Sequence, residues 1–471
     1  MANVVKWFYV ALVLLLSLAG QAAAAGEKTE NNELTWPEMT SQHKPWAYWW
    51  WMGSAVDQAN LKHRLKEYHQ AGMGGLHVTP IYGVKGYEDK FIDFLTPKWI
   101  SMLTYTVEQA AKMGLGIDMS TGTGWPFGGA MVGDEDTACK AVIKSYTLSP
   151  GQKLNEPLTD GQLMSLMGCS DKGTIVNLLD KVKQGKLTWT APDGDWKLYA
   201  VFQNITGQHV KRAAPGAEGK VLDPLSTESL NNYLDHFDAA FADYKNDQLP
   251  RAQYHDSYEY YGANWTDNFL GEFSCRRGYD LRSHMPAFFG EGETDKANRV
   301  KCDYKETISD LHLEFIETWT NWAHDRGFIT RDEAHGALAS ILDVYAASDI
   351  PETETFGPSR LPIPGLRIDP DFNDTEPDIL VLKFASSAAH VSTMGLTALE
   401  SCTWLAEHFK VALSQAKAQI DQLFVAGVNH LFYHGTVYSP IEEDFPGWLF
   451  YATTSFSPSN YCIWHDIDAL N

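Results

Sequence analysis

Gly395-Leu-Thr-Ala-Leu-Glu-Ser-Cys-Thr-Trp404 is a short apolar run that carries Glu400 to its end and sets it beside Trp404. Three more stretches have the same design, an apolar or aromatic run closing on carboxylates. They are Tyr254-His-Asp-Ser-Tyr-Glu-Tyr-Tyr261, Phe328-Ile-Thr-Arg-Asp-Glu-Ala-His335 and Ile350-Pro-Glu-Thr-Glu-Thr355. As parallel strands of one barrel they would bring their C-terminal ends to a single mouth, the end at which (β/α)8 barrels keep their chemistry. The pattern predicts one acidic, aromatic-lined pocket built from residues far apart in sequence.

Eight runs read as strands, at 47–52, 75–82, 115–120, 254–259, 328–333, 350–355, 396–400 and 428–434. Segments of helical spacing lie between them, at 57–71, 97–112, 227–244, 305–326, 337–347, 378–393 and 405–424. Strand and helix in alternation signal βαβ units and a parallel sheet, and the count of eight favours a closed (β/α)8 barrel over an open doubly wound sheet. The alternation stops between 139 and 222, where short β-like runs are separated by turns such as Pro192-Asp-Gly-Asp195. The expected fold class is therefore α/β, a (β/α)8 TIM-type barrel with an inserted antiparallel β subdomain. The barrel occupies 34–138 and 223–471, and the insertion 139–222.

The chain has 471 residues, 44% of them hydrophobic and 13% aromatic, with a formal net charge of -23. No basic run is long enough to follow a phosphate backbone, which argues against a nucleic-acid role; neutral or sparsely charged substrates and bound cations suit the charge better. At the amino terminus Lys6, the apolar run 7–18 and Ala22-Ala-Ala24 form a leader, so residues 1–25 are expected to be removed from a secreted or periplasmic protein. The apolar run falls short of the ~20 residues a membrane span needs, so no stable membrane insertion is expected after cleavage. The six cysteines, at 139, 169, 275, 302, 402 and 462, show neither CxxC pairs nor zinc spacing and predict no bridge. The last run, 461–471, has helical spacing without a cap, so the chain is expected to stop mid-element.

Cleavage of a glycosidic bond requires one protonated carboxyl to assist the leaving oxygen and one ionised carboxyl to activate water or attack the sugar. Glu259, flanked by Tyr258 and Tyr260, and Glu400 are the first candidates, and each suits either role; Glu333 and Glu354 are alternates. Any one acidic residue near a strand end is more often a helix cap or a surface charge, but recurrence on four consecutive predicted strands is poorly explained by capping. Crowded carboxylates repel unless protons or a cation intervene, so Glu333, Glu352 and Glu354 are candidate ligands for a hard cation such as Ca2+. Sugar contacts are expected from Trp50, His77, Trp125, His255, Asp256, His335, Trp404 and His434. The other tryptophans of 49–51 are expected in the core, because neighbours on a strand alternate sides. The glycine-rich stretch 120–129 lacks the spacing of a dinucleotide cradle and reads as a loop at the mouth.

Trp46-Ala-Tyr-Trp-Trp-Trp51, Gly74-Gly-Leu-His-Val78, Ser120-Thr-Gly-Thr-Gly-Trp-Pro126, Tyr254-His-Asp-Ser-Tyr-Glu259 and Asp332-Glu-Ala-His-Gly336 together resemble the α-L-rhamnosidases of glycoside hydrolase family 106, over about residue 35 to the end. The resemblance implies a (β/α)8 catalytic domain, inversion at the anomeric carbon, a pair of catalytic glutamates and a calcium ion that helps to hold the rhamnose. It also implies β-rich domains after the barrel, so the chain is expected to be truncated before them. On this reading Glu259 is the general acid and Glu400 the general base. A retaining β-glycosidase, with acid and nucleophile on strands four and seven, and a non-catalytic carbohydrate-binding protein are the other classes the pattern allows.

Overall fold

The computed structural model describes residues 38–356, 378–403, 413–444 and 447–450. The expected leader at 1–25, Trp404, Cys462 and the run 461–471 lie outside these. Eight parallel strands close a barrel: β1 (Trp46–Met52), β2 (Gly75–Ile81), β3 (Gly116–Ser120), β4 (Ala252–His255), β5 (Ile329–Glu333), β6 (Ile350–Phe356), β7 (Ala398–Thr403) and β8 (His430–Val437), with β8 pairing back onto β1. The connecting helices are α1 (Gln58–Gln70), α2 (Pro97–Ala111), α3 (Thr227–Phe241), α4 (Thr294–Asp325), α5 (Ile341–Ala346), α6 (Ile379–Val391) and α7 (Leu413–Val425). Side-chain oxygens cap the starts of four of them, Asp57 on α1, Thr96 on α2, Ser226 on α3 and Asp378 on α6.

Strand alternation explains the aromatic run of β1. Trp49 and Trp51 point outward, their rings 5.6 Å from Tyr68 of α1 and 6.1 Å from Trp99 of α2. Tyr48 and Trp50 point inward, with ring centroids 5.5 and 5.0 Å from His434 of β8. Inside the barrel stands Arg331 of β5, wholly buried. Its guanidinium pairs with Glu352 of β6, lies 3.7 Å from Asp118 of β3, donates to His77 Nδ1 at 2.8 Å, and stacks 4.1 Å from the Tyr254 ring and 3.8 Å from that of Phe432. Asp118 is also held by two bonds from Arg251, at 2.9 and 2.8 Å.

The insertion is a four-stranded antiparallel sheet in the order Cys139–Leu148, Trp196–Ile205, Gln162–Ser170, Ile175–Asn177. One face carries Leu166, Leu198 and Phe202 into the insertion's own core, and the other packs Met167, Tyr199 and Val201 against Trp265 and Phe269. The chain then returns to the barrel along an arm, 208–212, that pairs with Trp125 through Lys211. Cys139, Cys169, Cys275 and Cys302 are free thiols, and among the described residues no helix is long and apolar enough to cross a membrane.

Two measurements check this packing. Arg331→Leu leaves buried Glu352 without its cation and is predicted to cost about 3–5 kcal/mol in urea unfolding; a cost under ~1 kcal/mol contradicts it. Asp223, at the junction of insertion and barrel, is pushed by burial from 3.8 up to about 7, with Asp267 and Asp136 adding to the rise and the Thr266 hydroxyl and Leu225 amide opposing it. Between those values the folded chain keeps a proton that the unfolded chain has released. Stability from this group is therefore greatest at acid pH and falls as pH rises, by up to about 1.4 kcal/mol per pH unit. Asp223→Asn is predicted to remove that slope from unfolding free energies measured across the window, and an unchanged slope contradicts the assignment.

Candidate active site

The mouth is built from the strand ends inward. Strand β4 stops at His255, so Glu259 lies four residues beyond it, on a loop, and not on the strand as its sequence suggested. The turn begins at Asp256, whose Oδ1 accepts from the Ser257 amide at 2.8 Å, and Tyr258 N donates to the His335 carbonyl at 2.6 Å. Asp256 itself faces Glu333 at the end of β5 and Glu400 on β7, their carboxylate oxygens all within 4.8 Å of one another. Glu354 of β6 completes the group, within hydrogen-bonding reach of both Glu333 and Glu400. His335 Nδ1 stands 3.5 Å from Glu333 Oε1 and 3.4 Å from Glu354 Oε2, and His434 Nε2 stands 3.5 Å from Glu400 Oε1. Thr403 donates to the same Glu400 oxygen at 2.6 Å.

Among the described residues, no lysine or arginine pairs with these four carboxyls. Burial first, then mutual repulsion, pushes Glu333, Glu354 and Asp256 well above the usual carboxylate range. Burial also lowers the His335 imidazole to about 4, so it contributes no positive charge at neutral pH. A line of hydroxyls runs beneath the mouth: Glu352 Oε1, Tyr48 OH, Tyr254 OH and Glu333 Oε2 are joined at 2.5, 2.7 and 3.0 Å, with Tyr254 donating to Glu333. Burial raises the Glu352 carboxyl above its ordinary value, against the pull of Arg331 and Tyr48.

The expected ligand set for a cation loses Glu352, while Glu333 and Glu354 stay together beside His335. Glu352 shares a strand face with Glu354, but it sits deeper, and Arg331 and Tyr48 occupy its oxygens. Asp256, Glu333 and Glu400 form the all-oxygen set that a hard cation takes, and Glu333 Oε1 is buried without a hydrogen-bond partner. Three of the expected sugar contacts are also placed elsewhere. His77 is buried between Arg331 and Ser120, and His255 lies under the Tyr258 ring and is bonded to the Tyr260 hydroxyl at 3.2 Å. Trp50 is covered by the Phe450 ring, 4.6 Å away. Asp256, His335 and His434 do come together at the mouth, whereas Trp404 lies outside the described residues.

Glu259 occupies the rim. It accepts from Trp125 Nε1 at 3.2 Å, from the Tyr261 hydroxyl and from the Lys211 ammonium. Tyr48, Arg331, Gln208, Lys211 and Tyr261 were not singled out in the sequence. An inward position on an aromatic strand pointed to Tyr48, but nothing local marks Gln208 or Lys211.

Residues 37–168 and 167–460 match the family described as alpha-L-rhamnosidase, glycoside hydrolase family 106. A protein of Formosa agariphila named "Putative beta-glucuronidase" is 22% identical, over 85% of this chain and 37% of its own length. A rhamnosidase structure from Novosphingobium sp. PP1Y superposes with a TM-score of 0.73 at 18% identity, covering 87% of this chain and 56% of that one. A beta-galactosidase from Halorubrum lacusprofundi gives 0.52 at 10% identity, covering 90% of this chain and 57% of that one. At these identities the structural likenesses show the fold alone. The chain thus spans little more than a third of the first relative and a little over half of the two structures.

Proposed function

Because the chain belongs to glycoside hydrolase family 106, we propose that it removes terminal α-L-rhamnosyl residues from plant polysaccharides or glycosides, with inversion, at the acidic mouth of the barrel. The observation that carries this reading is the meeting of Asp256, Glu333, Glu354 and Glu400 from four separate strand ends, with Glu259 held apart on the rim. Glu259 gives its proton to the leaving oxygen. Glu400, oriented by Thr403 and His434, takes a proton from the attacking water. Glu259, held by Trp125, Tyr261 and Lys211, must carry a proton to act, so activity is expected to fall on the alkaline side.

Asp256, Glu333 and Glu400 would hold Ca2+, which would supply the positive charge this group of carboxyls lacks and an anchor for sugar hydroxyls. Ca2+ is expected to raise the thermal midpoint of the native protein, and Glu333→Gln to abolish that rise; no rise in either protein counts against the ion. Export follows from the leader at 1–25, which supports a secreted or periplasmic setting.

The two roles separate by leaving group. Glu259→Gln is predicted to lose about 10²–10⁴-fold on an alkyl rhamnoside while keeping most hydrolysis of a dinitrophenyl rhamnoside, whose leaving oxygen needs no proton. Glu400→Gln is predicted to lose both. The reverse pattern would exchange the assignments, and full activity in both variants would remove them.

A further inference from the structure

The insertion reaches the rim through two side chains. Gln208 Nε2 donates to the Glu259 carbonyl at 2.5 Å, and Gln208 Oε1 accepts from the Tyr261 amide at 2.8 Å, so one side chain brackets the loop. Three residues on, Lys211 donates to the Glu259 carboxylate and, at 2.8 Å, to the Tyr261 hydroxyl, with its ammonium 4.8 Å from the centre of the Tyr261 ring. The Lys211 backbone is fixed in turn by bonds of 2.8 and 3.2 Å to Trp125, the residue whose indole donates to Glu259. This approach needs glycine at 124, where φ is +51° and a Cβ would fall 1.7 Å from the Lys211 carbonyl oxygen.

We propose that Lys211, on the arm by which the β-rich insertion returns to the barrel, is the positioning residue for Glu259, fixing both the place and the charge of that carboxyl. The inference rests on Glu259 as the general acid only for its kinetic consequence; the hold on the loop stands on geometry. The insertion is then part of the catalytic apparatus and not an appended module. The charged groups facing the pair are Arg212, beside Lys211, and Asp256; burial and Arg212 lower the Lys211 ammonium, and Asp256 opposes them. Lys211 is two-thirds buried, so its charge is only partly screened by water.

The test compares Lys211→Met, Lys211→Arg, Gln208→Ala and Glu259→Gln. Loss of the cation makes Glu259 easier to protonate, so Lys211→Met should move the alkaline limb of kcat/KM upward by about one pH unit or more, while Lys211→Arg leaves it in place. If Glu259→Gln abolishes the limb and Lys211→Met leaves it unmoved, the proposal is overturned. If Glu259→Gln also keeps the limb, the acid assignment has failed, and the positioning role is decided by hydrogen–deuterium exchange over residues 257–262. That loop should exchange at least about tenfold faster in Gln208→Ala and Lys211→Met than in the native chain, a fold-change equal to about 1.4 kcal/mol of lost local stability. Unchanged exchange overturns the proposal whatever the kinetics show.

Discussion

A full positive charge sealed inside a barrel dictates much of what surrounds it. Arg331 has no access to water, so its guanidinium must be satisfied by protein: Glu352 and Asp118 neutralise it, His77 accepts from it, and aromatic rings cover its faces. Leaving such a group unpaired is costly, which makes these partners interdependent. Through Tyr48 and Tyr254 the same constellation reaches Glu333 at the mouth. The packed interior of the barrel and the carboxyls above it are thus joined by one line of hydrogen bonds.

Above that layer the balance of charge reverses. The lower level has two arginines, Arg331 and Arg251, for Glu352 and Asp118. The upper level has four carboxyls and two histidines, and burial keeps at least His335 neutral. Crowded and buried, these carboxyls repel one another unless protons or a cation intervene. Glu259 stands outside this arrangement with a lysine of its own.

Much of this is legible in the chain, for physical reasons. A buried strand must be apolar and must alternate its faces, so all eight barrel strands are visible as short runs and the outward or inward fate of Trp49 to Trp51 follows from period two. Depth inside the barrel is not written that way: Glu352 and Glu354 share a face, yet one meets Arg331 and the other meets the mouth. The end of β4 is also hidden, because Tyr258 and Tyr260 continue the aromatic pattern after Asp256 has already turned the chain by bonding the Ser257 amide. In the insertion, the strand Gln162–Ser170 lacks the β-branched residues that mark strands and is recognisable only by its pairing. Gln208 and Lys211 are ordinary polar residues of a loop; their role exists only through contacts about fifty positions away.

The central claim is that two separated carboxyls act on a rhamnoside by a single displacement with water. Proton NMR of the first turnovers on an aryl α-L-rhamnoside, recorded before mutarotation, tests it most directly. Initial accumulation of β-L-rhamnose is the predicted result. Initial accumulation of α-L-rhamnose would contradict it, since retention requires a covalent glycosyl-enzyme and carboxyls about 5 Å apart.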